Sequence, residues 1–354
     1  MVKSIACLPI AGIENPYQFL TMESLAQEGF KVFHGSPGKV FPLTRSCMMR
    51  PTFIHVDWIH QYYLRRIWVF TQVQMFLFIL DVLIARSIFQ IPIVWTIHNI
   101  YPHDKKPSVF SWGIRTLFAA SCTKIRVLNA STASKVQKEF NIPQGKICIH
   151  PEGSYVGYYD DSLSKLDALS TLNLSKTSKF RLLFFGSIRP YKGVDVLLEK
   201  WEQLDCSNLE LIIAGKCNDL DYLCKIQKLI ESRNTRSQGK IHLFNELVPD
   251  NMVQAYFKVA DVVVLPFQII ENSGSVKLAM SFGKPIITKA TSTLESLLAY
   301  QSELLYSSED AISSIITKAQ NMDDVKLTNL GRSAQAKASS LSWKGFGNVF
   351  NNLT

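Results

Sequence analysis

Charged side chains are scarce in this chain: they make up 19% of its 354 residues, against 47% for hydrophobic residues. This balance excludes an intrinsically disordered protein, and the modest numbers of glycine (17) and proline (14) exclude collagen-like or low-complexity material. Cysteine pairs are missing too, since the seven cysteines are scattered and none forms a CxxC motif. Such cysteines are typical of reduced thiols in the cytosol, so we expect a cytoplasmic protein.

A hydrophobic run that could span a membrane without interruption is also missing. The most apolar segment extends from Ile67 to Ile84, but Gln72, Gln74 and Asp81 interrupt it. A bilayer span needs about 20 mostly apolar residues, and each polar group is costly in hydrocarbon. We therefore expect a buried or interfacial helix here. The first residues, MVKSIACLPIAG, contain only a short apolar stretch, so we expect no targeting segment.

Positive charge is what the sequence has in excess, because 38 Lys and Arg against 29 Asp and Glu give a net charge of +9. Residues 1–160 carry 16 basic and 9 acidic residues, or +7, and the remaining residues carry 22 and 20, or +2. The N-terminal half is therefore expected to meet an anionic partner or surface first. No basic stripe with interleaved aromatics forms a recognisable binding motif, so we expect no nucleic acid partner.

Apolar and β-branched runs alternate with helical stretches along the whole chain, which predicts parallel βα units. The predicted strands of the first half are KSIACLPI, KVFHG, PTFIHV, IPIVWTIH, KIRVLN and KICIHPE, and those of the second half are RLLFFG, LELIIAG, KIHLF, DVVVLPF and KPIIT. This count predicts an α/β protein with two doubly wound domains. The stretch between them is rich in Ser, Thr and Lys, so the linker is predicted near residues 165–178.

The helices of the second half are predicted to begin where strands end. Ligands of open α/β sheets gather at the carboxyl edge of the strands. The loops that carry Arg189, Lys216, Glu246 and Ser275 are therefore predicted to share one rim.

Two of these loops have features that suit a diphosphate. The turn GSIRPYKG brings Arg189 and Lys192 together as fixed positive charge, and NSGSVK places small residues at a helix start, where backbone N–H groups bind anions. Each feature also has a plainer interpretation, as solvated surface charge and as an ordinary helix cap.

Several segments taken in order resemble the retaining GT-B glycosyltransferases of family 4. FFGSIRPYKGVDVLLEKW is similar to the family's phosphate loop, and ADVVVLPFQIIENSGSVKLAMSFGKPII is similar to its signature of a strand, a Glu-bearing loop, a helix and a strand. HPEGSY stands where the family has a Pro-Asn-Gly turn, and SWKGFGNVF resembles its last helix. The resemblance implies two Rossmann-like domains facing a central cleft: residues 1–165 for the acceptor, residues 178–340 for the nucleotide sugar, and a terminal helix, 341–354, that crosses back.

The resemblance also implies roles for the residues that match. Arg189 and Lys192 would bind the donor diphosphate and stabilise charge on the departing nucleoside diphosphate. Glu271 would hold hydroxyls of the donor sugar, and His98 would lie next to that sugar. The catalytic set is His98, Arg189, Lys192 and Glu271, and the donor-binding set is Gly12, Gly186, Arg189, Lys192, Lys216, Glu246, Leu247, Glu271, Asn272, Ser273, Gly274, Ser275 and Val276.

One departure from the family pattern concerns the ribose. In the family a second Glu is separated from the first by seven residues, but this chain has Ala279 at that place, or Leu278 when the segment is aligned backward from Gly283. We expect the ribose to be held otherwise, by Glu246 or by backbone groups. The base, the sugar and the affinity for the nucleotide stay open.

No metal or other cofactor is expected, because fixed cations and amides can stabilise a leaving diphosphate. Asp219-Leu220-Asp221 has the DxD form of metal-dependent glycosyltransferases, but it opens a helical stretch, so an N-cap by Asn218 or Asp219 is the favoured interpretation. The pair His55 and His60 lacks the i, i+4 spacing of helical zinc ligands.

The sequence thus favours a glycosyltransferase that moves a sugar from a nucleoside diphosphate, with UDP and glucose favoured, to a glycan or lipid-linked acceptor in polysaccharide biosynthesis. The segment Trp58–Arg86 has two interpretations: a long helix packed on the first sheet, or a face that contacts a membrane bearing the acceptor, at the inner side of the cytoplasmic membrane. Two other functions stay open, a sugar-nucleotide epimerase of the same fold and a non-enzymatic two-lobed binding protein. A dinucleotide dehydrogenase is disfavoured, since no GxGxxG follows either first strand.

Overall fold

A computed structural model of the chain describes residues 2–12, 16–65, 67–101, 108–177, 179–236, 239–268 and 273–353. The chain divides into a first unit, Met1–Gly153 with Ser342–Thr354, and a second unit, Ser154–Leu341. Each unit contains a six-stranded sheet in which all paired strands run parallel.

The first unit has its strands in the order β2-β1-β3-β4-β5-β6. The strands are β1 Ser4–Leu8, β2 Lys31–His34, β3 Phe53–Val56, β4 Ile93–Ile97, β5 Lys124–Val127 and β6 Ile147–Ile149. The helices are α1 Pro16–Gln27, α2 Pro42–Met48, α3 His60–Tyr63, α4 Trp68–Ile84, α5 Val109–Ser121 and α6 Ala130–Phe140. All six strands lie within the runs that the sequence predicts. The central strands are buried on both faces, which explains why they lack an alternating polar pattern.

The C-terminal segment belongs to the first unit. Its helix α15, Gly347–Asn351, follows a turn whose backbone is held by Glu28: the carboxylate accepts from Gly345 N–H and Gly347 N–H, both at 3.0 Å. Phe346 and Phe350 pack with Phe53 in a buried cluster. The first core is therefore completed by residues from both ends of the chain.

The second unit repeats the arrangement with the order β12-β11-β10-β7-β8-β9. Its strands are β7 Phe180–Phe185, β8 Leu209–Ala214, β9 Lys240–Phe244, β10 Val262–Leu265, β11 Ile286–Lys289 and β12 Leu305–Tyr306. Its helices are α7 Lys165–Thr171, α8 Val194–Lys200, α9 Leu220–Arg236, α10 Asp250–Val259, α11 Gly274–Ser281, α12 Ser292–Leu297, α13 Ile312–Gln320 and α14 Asp324–Ser339. Strand β12 was not predicted, because two residues form no recognisable run.

The division of the chain differs from the predicted one. It falls between Gly153 and Ser154, and the described residues of the predicted linker, 165–177, belong to the second unit. Lys165–Thr171 is helix α7, capped by the Ser164 hydroxyl. The following stretch is tied to the second unit, since Arg181 donates to the carbonyls of Ser175 and Thr177. The Ser and Thr residues that suggested a linker are caps and turn residues instead.

Helix α4 and the π-helical turn that follows it, Ala85–Phe89, are apolar on two faces. One face packs Met75, Phe78 and Val82 into the core. The polar interruption at Asp81 is fully buried, and its carboxylate accepts from the backbone N–H of Leu43 and Thr44 at 2.8 Å. Asp81 therefore caps the start of α2 and does not line a surface.

Candidate active site

The loops at the carboxyl ends of β7, β8, β9 and β10 are joined by hydrogen bonds that backbone N–H groups donate. Ile188 N–H donates to the Lys216 carbonyl at 2.9 Å, and Cys217 N–H donates to the Asn245 side chain at 2.8 Å. Gln268 N–H donates to the Tyr191 carbonyl at 3.0 Å. These contacts bring together the loops that carry the predicted Arg189, Lys216 and Glu246.

Lys192 lies at the centre of these loops. It is buried, and none of the hydrogen bonds or ion pairs among the described residues includes its ammonium group. A Cβ on Gly186 would lie 3.1 Å from Lys192 Nζ and 3.0 Å from Ser275 Oγ, so these three predicted residues meet in space. Burial, and then the nearby Arg189 charge, lower the pKa of Lys192 to about 8. A buried cation without a counter-ion is costly, and a bound anion would remove that cost.

Glycine is required at two positions of this loop. Gly186 has φ +125° and leaves room for Lys192 and Ser275. Gly193 has φ +70° and abuts the Pro266 carbonyl, so a side chain there would clash with backbone. Both conformations are uncommon for residues with a Cβ.

Helix α11 places its N-terminus beside the same loop. Ser273 is the N-cap, and its hydroxyl accepts from Val276 N–H at 3.3 Å. Gly274 and Ser275 form the first turn, and Val276 is fully buried. The predicted residues Glu271 and Asn272 lie outside the described residues.

The remaining predicted residues of the second unit lie on the outer side of these loops. Arg189, Lys216, Glu246 and Leu247 are all exposed. Leu278 and Ala279, at the place of the family's second Glu, are buried and apolar. Among the exposed residues, Glu246 is the one with a carboxylate, which keeps it the candidate for a ribose diol.

In the first unit, His98 follows β4 and is held by a buried carboxylate. His98 Nε2 donates to Asp57 Oδ1 at 2.9 Å. Trp58 stacks on the imidazole with ring centroids 4.8 Å apart, and Tyr17 meets it edge-on at 4.5 Å. The ring therefore has a fixed orientation, with 12% of its side chain exposed.

Asp57 is the hub of a buried polar network. Tyr17 donates its hydroxyl to Asp57 Oδ1 at 3.2 Å, and Arg126 donates to the Tyr17 oxygen at 3.1 Å. Burial alone would raise the pKa of Asp57, but His55, the His98 hydrogen bond and Arg126 outweigh burial and hold it below its usual value. The carboxylate is therefore charged at neutral pH.

The sequence did not single out Asp57, Tyr17 or Arg126. Asp57 directly follows β3, the strand that pairs with β4, so two polar residues at neighbouring strand ends were an available signal. Tyr17 and Arg126 are far apart in the sequence and gave no such signal. The predicted Gly12 is exposed, and it follows Ala11, whose N–H donates to the Gln18 side chain at 2.8 Å.

The DxD motif has the predicted capping role, since Asp219 Oδ1 accepts from Tyr222 N–H at 3.1 Å at the start of α9. Across the described ranges, no group of three or more His, Cys, Asp or Glu side chains is arranged to hold a metal ion. All seven cysteines are free.

The loops around Lys192 lie in a region that matches a known family model. Residues 170–336 match the model described as Glycosyl transferases group 1. This region is similar to the glycosyl transferases group 1 family. It covers nearly all of the second unit, including every strand from β7 to β12.

The chain is also similar to curated proteins. The chain is 28% identical over 198 residues to a GDP-mannose:glycolipid 4-beta-D-mannosyltransferase of Xanthomonas campestris pv. campestris, which covers 55% of this chain and 49% of that protein. The chain thus spans about half the length of the curated relatives it matches.

Solved structures extend the likeness to both units. Sucrose-phosphate synthase from Thermosynechococcus elongatus superposes with a TM-score of 0.75 at 15% identity, covering 99% of each chain. Anabaena HepE in complex with UDP and glucose gives a TM-score of 0.72 at 15% identity, again over 99% of each chain. The predicted GT-B fold with two Rossmann-like domains is confirmed.

We predict that the His55 imidazole beside Asp57 makes stability depend on pH. Burial lowers the pKa of His55 to about 4. Between that value and about 6.5 the unfolded chain binds a proton that the folded chain does not, so the free energy of unfolding falls as the pH drops through this range. The loss should reach about 3 kcal/mol, measured by urea unfolding from pH 7 to pH 4.

The His55→Asn variant should lose this slope, and the exposed His34→Asn variant should keep it. Equal slopes for His55→Asn and the unchanged protein would show that His55 is not kept neutral by the fold.

Proposed function

We propose that this protein is a glycosyltransferase that moves a sugar from a nucleoside diphosphate donor to a glycan or lipid-linked acceptor. The observation that carries the proposal is Lys192, a buried cation without a counter-ion among the described residues, at the loop edge of the region that is similar to the group 1 family. An anionic ligand is what this position favours. A diphosphate fits, because Arg189 lies close enough to depress the pKa of Lys192 and the α11 N-terminus lies beside it.

The chemistry follows from where charge develops. Cleavage of the bond between the anomeric carbon and the phosphate builds positive character on the sugar and negative charge on the leaving diphosphate. Lys192, Arg189 and the first amides of α11 would stabilise that negative charge in fixed positions. We propose that the reaction is independent of metal, so activity should survive a chelator.

We propose that His98 contacts the donor sugar, in the role that the family resemblance implies. Its support here is the hydrogen bond to buried Asp57 and the stack on Trp58. Glu271 and Asn272 stay part of the proposed donor site on the resemblance alone. Glu246 is proposed to hold the ribose.

We propose UDP-linked glucose as the donor and retention as the stereochemical course. HepE, a structural neighbour, was crystallised with UDP and glucose, whereas the Xanthomonas relative is named for GDP-mannose and a β-linked product. A UDP-glucose donor with retention and a GDP-mannose donor with a β-linked product differ in the base, the sugar and the anomeric configuration of the product.

A donor panel tests the proposed reaction. Purified protein is given UDP-, GDP- and ADP-sugars with glycolipid acceptors, and nucleotide release and the anomeric configuration of the product are followed by NMR. Transfer from a UDP-sugar with unchanged anomeric configuration is expected. An inverted product would overturn retention, epimerised donor without acceptor would indicate an epimerase, and no turnover of any donor would contradict the function.

Lys192→Ala should depress turnover with the fold intact. Loss of a charge that acts mainly in the transition state should raise the barrier by about 2–4 kcal/mol, or about 30- to 1,000-fold in kcat. Exposed Lys225, which pairs with Asp195, supplies the matched control. Lys225→Ala should retain activity, and an active Lys192→Ala enzyme would count against the assignment.

The first unit has an exposed apolar surface on α4 and α5 that we propose contacts the membrane carrying the acceptor. The stretch Trp68–Phe89 is long and apolar enough to cross a membrane by length and composition, and it is the one such helix in the described ranges. Its inner face is packed in the core, so we propose that it lies in the interface. The exposed residues are Trp68, Val69, Phe70, Val73, Phe76, Leu80, Leu83, Ile88, Val109, Phe110 and Trp112.

Charge supports this orientation. Arg45 is an exposed residue of α2, and exposed Arg50 follows that helix. Exposed Arg86 lies in the turn after α4, and α2 packs on α4. Aromatic side chains beside basic ones suit an anionic bilayer surface. A cytoplasmic protein at the inner face of the membrane would meet such a surface.

Liposome flotation tests the membrane contact. The protein should float with vesicles of phosphatidylcholine and phosphatidylglycerol, less with phosphatidylcholine alone, and less in high salt. Replacing Trp68, Phe70 and Phe76 by Ser should abolish recovery. Replacing Leu220 and Val325, which are exposed apolar residues of the second unit, should not. Equal recovery of both variants would contradict the proposal.

A further inference from the structure

Arg115 is a buried arginine of the first unit that has no counter-ion among the residues the structure describes. It lies on α5 with 3% of its surface exposed. Its Nε atom is buried and has no hydrogen-bond partner, and no ion pair among the described residues includes the guanidinium. Such a charge is costly unless something outside the fold pairs with it.

Two other buried arginines, Arg126 and Arg181, differ from Arg115. Arg126 donates to the carbonyls of His150 and Pro151 and to the Tyr17 oxygen. Arg181 donates to the Glu210 carboxylate at 2.8 Å. The contacts of Arg115 are instead with the rings of Trp95 and Tyr101, at 5.9 and 5.8 Å. Ring contacts compensate a buried charge only weakly compared with an oxyanion.

Arg115 lines a pocket at the carboxyl ends of β3 and β4. The same pocket is lined by Asp57, His98 and Asn99. Asn99 Oδ1 and Asp57 Oδ2 are also buried atoms without a hydrogen-bond partner. Both atoms are hydrogen-bond acceptors and suit hydroxyl groups of a ligand, whereas the Arg115 guanidinium suits an oxyanion.

The same helix connects this pocket to the apolar surface. Val109, Phe110 and Trp112 are exposed at the start of α5, three to six residues before Arg115. At about 1.5 Å per residue, they lie roughly 5–9 Å from Arg115 along the helix axis. A phosphate joined directly to a lipid chain has its charge and its apolar part at such a separation.

We infer that Arg115 binds the phosphate of a lipid-linked acceptor in this pocket. The inference rests on the proposed function, because the protein has an acceptor only if it is a glycosyltransferase. The phosphate site itself is argued from Arg115 and does not depend on that function. Lys192 and Arg189 remain assigned to the donor, so the chain would have two separate phosphate sites, one in each unit.

Thermal unfolding without ligand tests whether Arg115 is structural. Arg115→Met removes an unpaired buried charge and should leave the melting temperature unchanged or raise it. Arg126→Met, the matched control in the same unit, removes hydrogen bonds and should lower it. A fall for Arg115→Met as large as that for Arg126→Met would overturn the inference.

Ligand-induced stabilisation tests the phosphate itself. Hexyl phosphate should raise the melting temperature of the unchanged protein more than inorganic phosphate does, and neutral hexyl glucoside should have no effect that depends on Arg115. Arg115→Met should lose the hexyl phosphate shift, and Arg115→Lys should keep part of it. An undiminished shift in Arg115→Met would overturn the proposal, and inorganic phosphate acting as well as hexyl phosphate would overturn the lipid-linked source.

Lys192→Ala separates this site from the donor site. It should lose stabilisation by UDP or GDP while keeping the hexyl phosphate shift, and Arg115→Met should show the reverse. If no nucleotide stabilises any form, the proposed function fails, while the hexyl phosphate result still decides the pocket. The inference is refuted if Lys192→Ala loses the hexyl phosphate shift and Arg115→Met keeps it, because the phosphate would then bind in the second unit.

Discussion

Parallel strand pairing is the constraint on which the chemistry of both units depends. Each strand must be followed by a crossover before the next parallel strand can start, so every strand of a sheet ends at the same edge. In the second unit this edge collects the loops around Lys192. In the first unit it places Asp57 after β3 and His98 after β4, where they form a hydrogen bond.

Buried cations in this protein are of two kinds. Arg126 and Arg181 are fully used by carbonyls, a hydroxyl and a carboxylate, and they stabilise the fold. Lys192 and Arg115 are buried without such partners among the described residues. Unpaired buried charges lower the stability of the protein without its ligand. They are common in binding sites, because the ligand supplies the partner that the fold does not provide.

The strands were predictable because parallel strands covered on both faces are continuous apolar runs. Of the twelve strands in the described part of the chain, eleven lie within a predicted run or extend past it by one residue. The exception, β12, is too short to carry a pattern. Composition misled at residues 165–178, because Ser164 and its neighbours serve as caps of a helix and not as a flexible connection. Composition alone did not distinguish a helix with its capping residues from a flexible linker.

The candidate site was predictable where its residues are neighbours in the sequence. Gly186, Lys192 and Ser275 belong to two short segments that the family resemblance already joins. Asp57 and Arg115 were missed, since their importance lies in what surrounds them in space. Whether a charged side chain is buried, and whether it has a partner, are properties of the fold and leave no pattern in the local sequence.

The C-terminal segment has a consequence for how this protein is made on the ribosome. Phe346 and Phe350 complete a core that begins with β1 and β3, and Glu28 holds the turn just before them. Part of the apolar interior of the N-terminal unit therefore stays open until Phe346 and Phe350 have been translated and have left the exit tunnel. The second unit, encoded in between, can finish first, which reverses the usual order of domain folding during synthesis.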